Sequence, residues 1–428
     1  EPQPRAGAAS SVQDGSLVIL GGWDGKVAFN DAYALDLMTF RWRALSLRGD
    51  QKVDDRIMFG RTADKNGVIY LQGGAKPTNL MEMFEDVLTF DARTSMLQQI
   101  KTAGPGPGFV ARHSMTIMDR TIYIFGGWDG KKWVSKIHRL DLDGEGQRGG
   151  APRWETLTPS GFTPYPRTHA CLLPWEQPRP QLLLYGGGDA DTDFSATYAL
   201  DVQTQYWERL TNISNATLAL SQAPCAMLPL SASGEVALAV HGGFGGLSKE
   251  GRGDSGDRQT ELRLLRFGHS SWQWTTPRSL HGSSVGRLNH EMQVVNASCI
   301  VIWGGSIGNG EHSNDLFIGT PNKPKYDTED TFDQIVGVGD GEADEADGKD
   351  GDDEEEDELW YEDSAPRTAA ASSTPDASAA HPKSGPGYSI AEGKEEVVLR
   401  TVRTAKKKIK QKQGRKKRRN QRSSKEEL

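Results

Sequence analysis

Six short apolar runs recur between residues 17 and 303, and a pair of glycines closes each of them. The runs are rich in β-branched and aromatic residues, as in residues 68–71 and 122–125. Continuous apolar runs of this length are typical of strands that are buried on both faces. The nearly even spacing of the pairs predicts a repeated unit built from one small sheet. The pairs begin at Gly21, Gly73, Gly126, Gly186, Gly242 and Gly304.

A second apolar strand follows each glycine pair and ends at an aspartate in the first four repeats. Aspartate favours a tight turn because its carboxylate accepts hydrogen bonds from backbone N–H groups just downstream. After the turn a further strand carries a large apolar residue, which is Trp42, Leu97, Trp154 or Trp207. The fifth repeat departs from this pattern, with Arg266 at the aspartate position and both Trp272 and Trp274 as candidate tryptophans.

This pattern resembles that of kelch repeats over roughly residues 1–320, and residues 21–26 even recur letter for letter at 126–131. The resemblance implies an all-β, six-bladed kelch β-propeller with four antiparallel strands in each blade. A sandwich or an open array of blades is disfavoured, because an open array leaves two exposed sheet edges. We therefore predict a propeller at residues 1–320, then a disordered acidic and Ala/Ser/Pro-rich linker at 321–396 and a basic tail at 397–428.

The closing strand of the propeller is not evident from the sequence. Residues 314–317 predict a third strand in the sixth repeat, but no clear fourth strand comes next. Kelch propellers often close with an N-terminal strand, so we expect a closing strand upstream of Glu1. The alternative is residues 325–336, which contain four acidic residues and make a poor strand.

The C-terminal part of the chain carries two opposed blocks of charge. Residues 340–363 contain fifteen acidic residues and one lysine, whereas residues 400–428 contain fourteen Lys or Arg and two glutamates. Few apolar groups and strong self-repulsion favour disorder. Residues 392–412 contain no proline, which is compatible with partial helix. The acidic block is opposite in charge to the basic block and to the arginines described below, so it is a candidate to fold back onto either.

The basic tract is a candidate nuclear-localisation or anion-binding segment, and its alternative is weak RNA binding through the phosphate backbone. We expect a nuclear or cytoplasmic protein. The terminus at residues 425–428 resembles an ER-retrieval signal, but the adjoining basic tract disfavours the ER lumen. The basic side chains are Lys406, Lys407, Lys408, Lys410, Arg415, Lys416, Lys417, Arg418 and Arg419.

The cysteines and the hydropathy argue against a disulfide framework and a membrane span. Cys171, Cys225 and Cys299 are odd in number and widely spaced, which suits a reducing compartment and buried apolar packing. No apolar run approaches the roughly 18 residues that a membrane helix needs.

The sequence offers little enzyme chemistry. It contains no nucleophile–base spacing and no phosphate-cradling glycine loop, so we expect no catalytic residues, metal, cofactor or small-molecule substrate. His113, His169 and His290 each open a repeat, which predicts one shared packing role, and His241 is expected in the core. The alternative is a kelch-type oxidase or lyase, because propellers support many functions.

One constellation does suggest binding. An arginine precedes the glycine pair at a similar distance in every repeat except the fifth. The resemblance implies that these arginines surround one mouth of the central channel, where some kelch domains hold acidic peptides. The alternative is that each pairs with a backbone carbonyl or an aspartate; Arg112 fits the peptide-binding spacing best. The candidates are Arg5, Arg56, Arg112, Arg167 and Arg287.

The leading function is therefore a non-enzymatic platform, of scaffold or substrate-receptor type, that binds partner peptides on one propeller face. Variable loops at 76–85, 144–153, 189–195 and 245–260 are expected to carry specificity. The alternative is a nuclear or ribonucleoprotein-associated factor whose basic tail binds RNA.

Overall fold

The computed structural model describes thirteen stretches of the chain. The basic candidates from Lys406 to Arg419 and the acidic block at 340–363 lie outside them. The described residues are 1–49, 55–144, 150–176, 179–211, 213–214, 218–230, 235–246, 257–267, 271–276, 278–279, 286–296, 299–321 and 396–402.

The described residues form six antiparallel blades, which confirms the predicted all-β propeller. Blade one contains β1 (Ala9–Gln13), β2 (Ser16–Leu20), β3 (Ala32–Asp36) and β4 (Arg41–Leu45). Blade two contains β5 (Gly60–Ala63), β6 (Ile69–Gln72), the inserted hairpin of β7 (Ala75–Lys76) and β8 (Asn79–Met83), β9 (Val87–Asp91) and β10 (Met96–Ile100). Blade three contains β11 (Ser114–Met118), β12 (Thr121–Phe125), β13 (Ile137–Asp141) and β14 (Arg153–Leu157).

The last three blades have the same order and carry extra short strands in their connections. Blade four contains β15 (Ser160–Gly161), β16 (Cys171–Trp175), β17 (Gln181–Tyr185), β18 (Thr197–Asp201) and β19 (Tyr206–Arg209). Blade five contains β20 (Ile213–Ser214), β21 (Ala219–Ser221), β22 (Cys225–Pro229), β23 (Val236–His241), β24 (Phe244–Gly246), β25 (Asp257–Arg258), β26 (Leu262–Phe267) and β27 (Trp272–Thr275). Blade six contains β28 (Arg278–Ser279), β29 (Glu291–Asn296), β30 (Cys299–Trp303), β31 (Ser306–Gly308), β32 (Glu311–His312), β33 (Leu316–Pro321) and β34 (Glu396–Val402).

The first strands of the six blades surround the central channel. Each contacts the first strand of the next blade, and β29 of blade six contacts β1 of blade one. The backbone N–H of Gly305 donates to the carbonyl of Arg5 at 2.8 Å, which joins blade six to blade one. The propeller is therefore closed, and the open-array alternative is wrong.

The hydrophobic pattern of the sequence corresponds to packing between blades. Residues 17–20 of β2 and 122–125 of β12 are almost wholly buried. In blades one to five the large residue of the fourth strand packs on the preceding blade, as Trp207 does against Phe125 with ring centroids 5.7 Å apart. Leu97 takes this role in blade two and is fully buried. In blade five the role belongs to Trp274, which packs on Tyr185.

The glycine pairs are required by close backbone approach. Gly127 has a φ of +99°, and a Cβ there would lie 2.7 Å from Val110 Cγ2 and 2.8 Å from the carbonyl oxygen of Ala111. A side chain would therefore be both strained and in collision. The turn aspartates act as predicted, since the Asp201 carboxylate accepts hydrogen bonds from the N–H groups of Gln203 and Thr204.

The outer strand of blade six corrects the expectation for ring closure. It is β34, paired antiparallel with β33 from Leu316 to Pro321. Residues 396–402 are rich in valine, and their β-strand conformation also replaces the partial helix expected for 392–412. The boundary drawn at 396/397 thus falls inside a strand of the propeller.

A recurring linker contact supports this assignment of β34. The linker that enters a blade pairs in parallel with the start of that blade's fourth strand, as β15 does with β19 and β20 with β27. Single bridges Arg48–Met96 and Ala103–Arg153 repeat the contact in blades two and three. The pairing of β28 with β34 has the same form. Blade six is therefore built like the others, although the long segment 322–395 separates its third and fourth strands.

Two of the cysteines are paired, which corrects the expectation that none is. Cys171 in β16 forms a disulfide with Cys225 in β22, with a Cα–Cα distance of 6.0 Å. Their separation in the sequence is about one repeat length, so equivalent first strands of neighbouring blades bring them together. A separation of this length carries no signal for a disulfide until the repeats are aligned with one another. Cys299 is a free thiol, and burial raises its pKa.

Candidate functional site at the channel mouth

Four of the five predicted arginines are buried inside their blades. Arg5, Arg56, Arg167 and Arg287 are at most 1% exposed. Each donates from Nη1 to the carbonyl of the first glycine of its blade, at distances from 2.7 to 3.4 Å. An aromatic ring packs on each guanidinium, with Cζ-to-centroid distances from 3.8 to 4.4 Å.

These contacts make the four arginines structural. Arg5 and Arg56 also form bidentate pairs with Asp31 and Asp86, which satisfies the fork of each guanidinium. The expectation that they line the mouth for ligand is therefore wrong. The alternative, pairing with a backbone carbonyl or an aspartate, describes them correctly, because each side chain is buried and donates to a glycine carbonyl of its own blade.

Arg112 occupies a different position from the other four. Val110 occupies the position in blade three that an arginine occupies in blade four. The Val110 carbonyl accepts a hydrogen bond from Gly74 N–H at 2.9 Å, and the Arg167 carbonyl accepts the equivalent bond from Gly127 N–H. Arg112 lies two residues further on and is half-buried. In the sequence, this different position is visible only as the spacing between Arg112 and its glycine pair, which is the shortest of the five.

Arg112 is one of six residues with a left-handed backbone, one from each blade, and we call the ring of these residues the channel mouth. All six precede the innermost strands, and their φ angles run from +49° to +62°. Residues other than glycine rarely adopt a left-handed backbone, and such backbone strain concentrates at functional sites. The members are Gly7, Met58, Arg112, His169, Gln222 and Asn289.

Backbone hydrogen bonds connect the members of the channel mouth. Arg112 N–H donates to the Met58 carbonyl at 2.7 Å, and His169 N–H donates to the Arg112 carbonyl at 2.9 Å. Asn289 N–H donates to Gln222 at 3.0 Å, and Gly7 N–H donates to Asn289 at 2.7 Å. These bonds hold the backbone of the mouth rigid, so its side chains are presented from a fixed frame.

The side chains of the mouth are polar or cationic, with one thioether. Arg112 Nε donates to Met58 Sδ at 3.2 Å, and Asn289 Nδ2 donates to Gln222 Oε1 at 2.7 Å. Burial lowers the pKa of His169 to about 3, and the positive charges of Arg112 and Arg61 act in the same direction. His169 is therefore neutral at physiological pH, and Arg112 carries the charge of the mouth.

A buried carboxylate lies deeper in the channel. Glu291 accepts from Ser10 Oγ at 2.6 Å and from Arg61 Nη2 at 2.8 Å, which connects blades six, one and two. Burial raises the pKa of Glu291, and Arg61 and Ser10 oppose the rise. Because Arg61 is committed to Glu291, Arg112 is the arginine with capacity for an external carboxylate among the residues described above.

The histidines do not share one position, which corrects part of the prediction. His113 and His290 stand one residue after the mouth and face the second glycine of their own blades, whereas His169 belongs to the mouth itself. His241 is in the core as expected, with its Nδ1 2.8 Å from His290 Nε2. Burial lowers the pKa of His113 and of His241 to about 3.

Within the described ranges, no cluster of three or more His, Cys, Asp or Glu side chains is placed to hold a metal ion. The same ranges contain no helix long and apolar enough to cross a membrane.

The comparisons with known proteins agree with the architecture. A family model described as the KLHDC2/KLHL20/DRC7 Kelch-repeats domain matches residues 54–243, and a Kelch motif model matches residues 4–46. The structure of YjhT superposes with a TM-score of 0.54 and 17% identity over 74% of this chain and 96% of that one, which shows a shared fold.

The related curated proteins are matched over only part of their length. Acyl-CoA-binding domain-containing protein 4 of Arabidopsis thaliana is 28% identical over 220 residues, which are 49% of this chain and 31% of that protein. Kelch domain-containing protein 10 of Homo sapiens is 26% identical over 224 residues, 49% of this chain and 47% of that protein. The chain thus spans half or less of these relatives.

Proposed function

We propose that this chain, which belongs to the kelch-repeat family, is a non-enzymatic interaction platform that binds partner peptides on the face around its channel mouth. Kelch propellers in general serve as protein-interaction platforms, and a closed ring of blades gives loops a rigid base. We further assign the channel mouth as the binding face and an acidic peptide motif as the ligand.

The observation that carries the proposal is the position of Arg112. Its guanidinium is half-buried on the mouth, its backbone is held by hydrogen bonds on both sides, and its Nε contacts only the weak acceptor Met58 Sδ among the hydrogen bonds given above. A guanidinium fixed in this way supports bidentate binding of a carboxylate. The neutral His169 beside it adds hydrogen-bonding capacity without competing charge.

The experiment is a quantitative affinity pull-down with the full chain, analysed by mass spectrometry. We expect Arg112→Ala to lose the partners that the wild type recovers. Arg139→Ala is the matched control, because Arg139 is an exposed arginine paired with Glu155 away from the mouth. Equal recovery by Arg112→Ala and wild type would remove the mouth as the binding site.

A second candidate rests on the basic tract. Fourteen Lys or Arg residues in 400–428 supply the charge density that binds phosphate backbones or import receptors. On this view the protein is nuclear or ribonucleoprotein-associated. Salt-sensitive RNA binding that disappears when residues 403–428 are deleted supports it. That deletion keeps β34, so the shortened chain retains all strands of the propeller and the experiment tests the tail alone.

A further inference from the structure

A groove opens on the same face, between an inserted hairpin and a loop of the next blade. The hairpin of β7 and β8 forms one wall, and residues 129–131 of blade three form the other. The groove has a volume of about 520 Å³. Its apolar lining consists of Met81, Met83, Phe84 and Phe109.

The apolar lining of the groove is exposed to an unusual degree. Met81 is 66% exposed and Phe109 is 54% exposed, although both are large apolar side chains. Gly130 lines the groove opposite the hairpin, where a Cβ would lie 3.5 Å from Met83 Sδ. Exposed apolar side chains that cluster mark interaction sites, and methionine adapts to ligands of different shape.

The charged groups at the rim leave an excess of lysine. Lys76 Nζ is paired with Glu82 at 2.6 Å. The Asp129 carboxylate accepts from the backbone N–H groups of Lys131 and Lys132 at 2.9 and 2.8 Å, so it is oriented toward its own turn. Within the described part of the chain, the ammonium groups of Lys131 and Lys132 form no ion pair. The rim therefore favours an acidic ligand.

The groove is continuous with the channel mouth. Ile57, next to Met58 of the mouth, bridges to Ala75 at the base of the hairpin, with both N–H···O distances at 2.9 Å. Ala111, next to Arg112, bridges to Trp128, which leads directly into the loop of the opposite wall. Phe109 lies three residues before Arg112. An extended ligand can therefore reach both the groove and Arg112.

We infer that this groove holds a large apolar side chain of an acidic peptide from a separate protein, whose nearby carboxylate binds Arg112. The apolar side chain is buried against Met81 and Phe109, and Lys131 and Lys132 attract flanking acidic residues. The inference rests on the proposed function, because it adds a second contact for the same partner and predicts the partner's sequence: an aliphatic or aromatic residue within a few positions of Asp or Glu.

The test uses a phage-displayed library of random dodecapeptides selected on the immobilised full chain. The inference expects enriched peptides to combine an apolar residue with a nearby acidic one. Synthetic copies of these peptides are then titrated against Met81→Ser/Phe109→Ser, Arg112→Ala and wild type. The matched control is Met38→Ser, because Met38 is 83% exposed in the β3–β4 turn of blade one, away from the groove.

Both the groove variant and Arg112→Ala are expected to weaken binding at least tenfold, and Met38→Ser is expected to leave it unchanged. Loss with Arg112→Ala but not with Met81→Ser/Phe109→Ser overturns the groove and leaves the proposed function standing. No loss with either variant overturns both. If the groove variant instead dissociates a dimer of this chain in light scattering, the occupant is a second copy and the inference is overturned.

Discussion

Val110 and Arg112 lie two residues apart in blade three, and it is Val110 that occupies the position of the buried arginines. Its carbonyl accepts a hydrogen bond from the second glycine of the preceding blade, as do the carbonyls of Arg167 and Arg287. Arg112 is thereby displaced onto the channel mouth. Blade three therefore has a half-buried cationic side chain at the mouth in place of a buried structural arginine. In the proposed function, this difference separates the residues that stabilise the fold from the residue that binds a ligand.

The buried arginines should be essential for stability. Arg56→Ala removes the partner of Asp86 and of the Gly73 carbonyl, so we expect a loss of about 3 kcal/mol in the free energy of unfolding. Arg139→Ala breaks an exposed pair with Glu155 and should cost less than about 1 kcal/mol. Urea unfolding followed by tryptophan fluorescence measures both. Similar losses for the two variants would contradict the structural role.

The disulfide between Cys171 and Cys225 should stabilise the junction of blades four and five. Cys171→Ala/Cys225→Ala should lower the free energy of unfolding by about 2–4 kcal/mol relative to the wild type without reductant. Cys299→Ala is the control, because this thiol is unpaired. Thermal unfolding with and without dithiothreitol gives the comparison. Alkylation of all three cysteines in the native, unreduced protein would show that the bond is absent.

The propeller should depend on residues 396–402. A chain ending at residue 395 lacks β34, so the edge of β33 is exposed and blade six loses its outer strand. We expect it to unfold at a lower temperature and to aggregate. A chain ending at residue 402 keeps β34 and is the control. Equal unfolding temperatures for the two chains, measured by circular dichroism, would contradict closure by this strand.

Stability should fall in mild acid because histidines are buried without charge. The folded pKa of His113 is lowered to about 3 from 6.5 by burial. Unfolding therefore takes up a proton between these values, and stability is lost as the pH falls below about 6.5. Phe59 occupies the equivalent position in blade two, so His113→Phe is a compatible change. It should reduce the slope of stability against pH by about 1.4 kcal/mol per pH unit.

The measurement is a series of urea unfolding curves between neutral pH and the acid side of the transition. The wild type and His113→Phe are compared at each pH, so that other titrating groups cancel. His138→Gln is a useful companion, because burial also lowers the pKa of His138, to about 4. An identical slope for wild type and His113→Phe would mean that His113 is protonated in the folded state.

The sequence was sufficient to predict the blades because their determinants are local. The glycine pairs, the apolar second strands and the large residue at Trp207 or Leu97 all lie within one repeat. The determinants of the site are not local in this sense. Arg112 differs from Arg167 only by its register against the glycine pair, and the left-handed backbone that places it on the mouth has no glycine to mark it in five of six blades.

Long-range pairing explains the remaining differences between sequence and structure. Cys171 and Cys225 meet because equivalent strands of adjacent blades lie side by side, a relation that appears only after the repeats have been aligned. The strand β34 pairs with β33, although the segment 322–395 separates the two strands in the sequence. Charged blocks lie on both sides of β34 in the sequence, so the pattern assigned it to a tail. The groove near Phe109 depends on two different blades, so no single repeat predicts it.

In the proposed function Arg112 serves binding whereas Arg56 serves stability, and one paired measurement distinguishes the two roles. Arg112→Ala and Arg56→Ala are compared with the wild type for thermal unfolding and for recovery of the wild-type partners from the quantitative pull-down. We expect Arg112→Ala to unfold at nearly the wild-type temperature but to lose the partners, and Arg56→Ala to unfold at a clearly lower temperature. These roles are contradicted if Arg112→Ala is destabilised as strongly as Arg56→Ala, or if it recovers the same partners as the wild type.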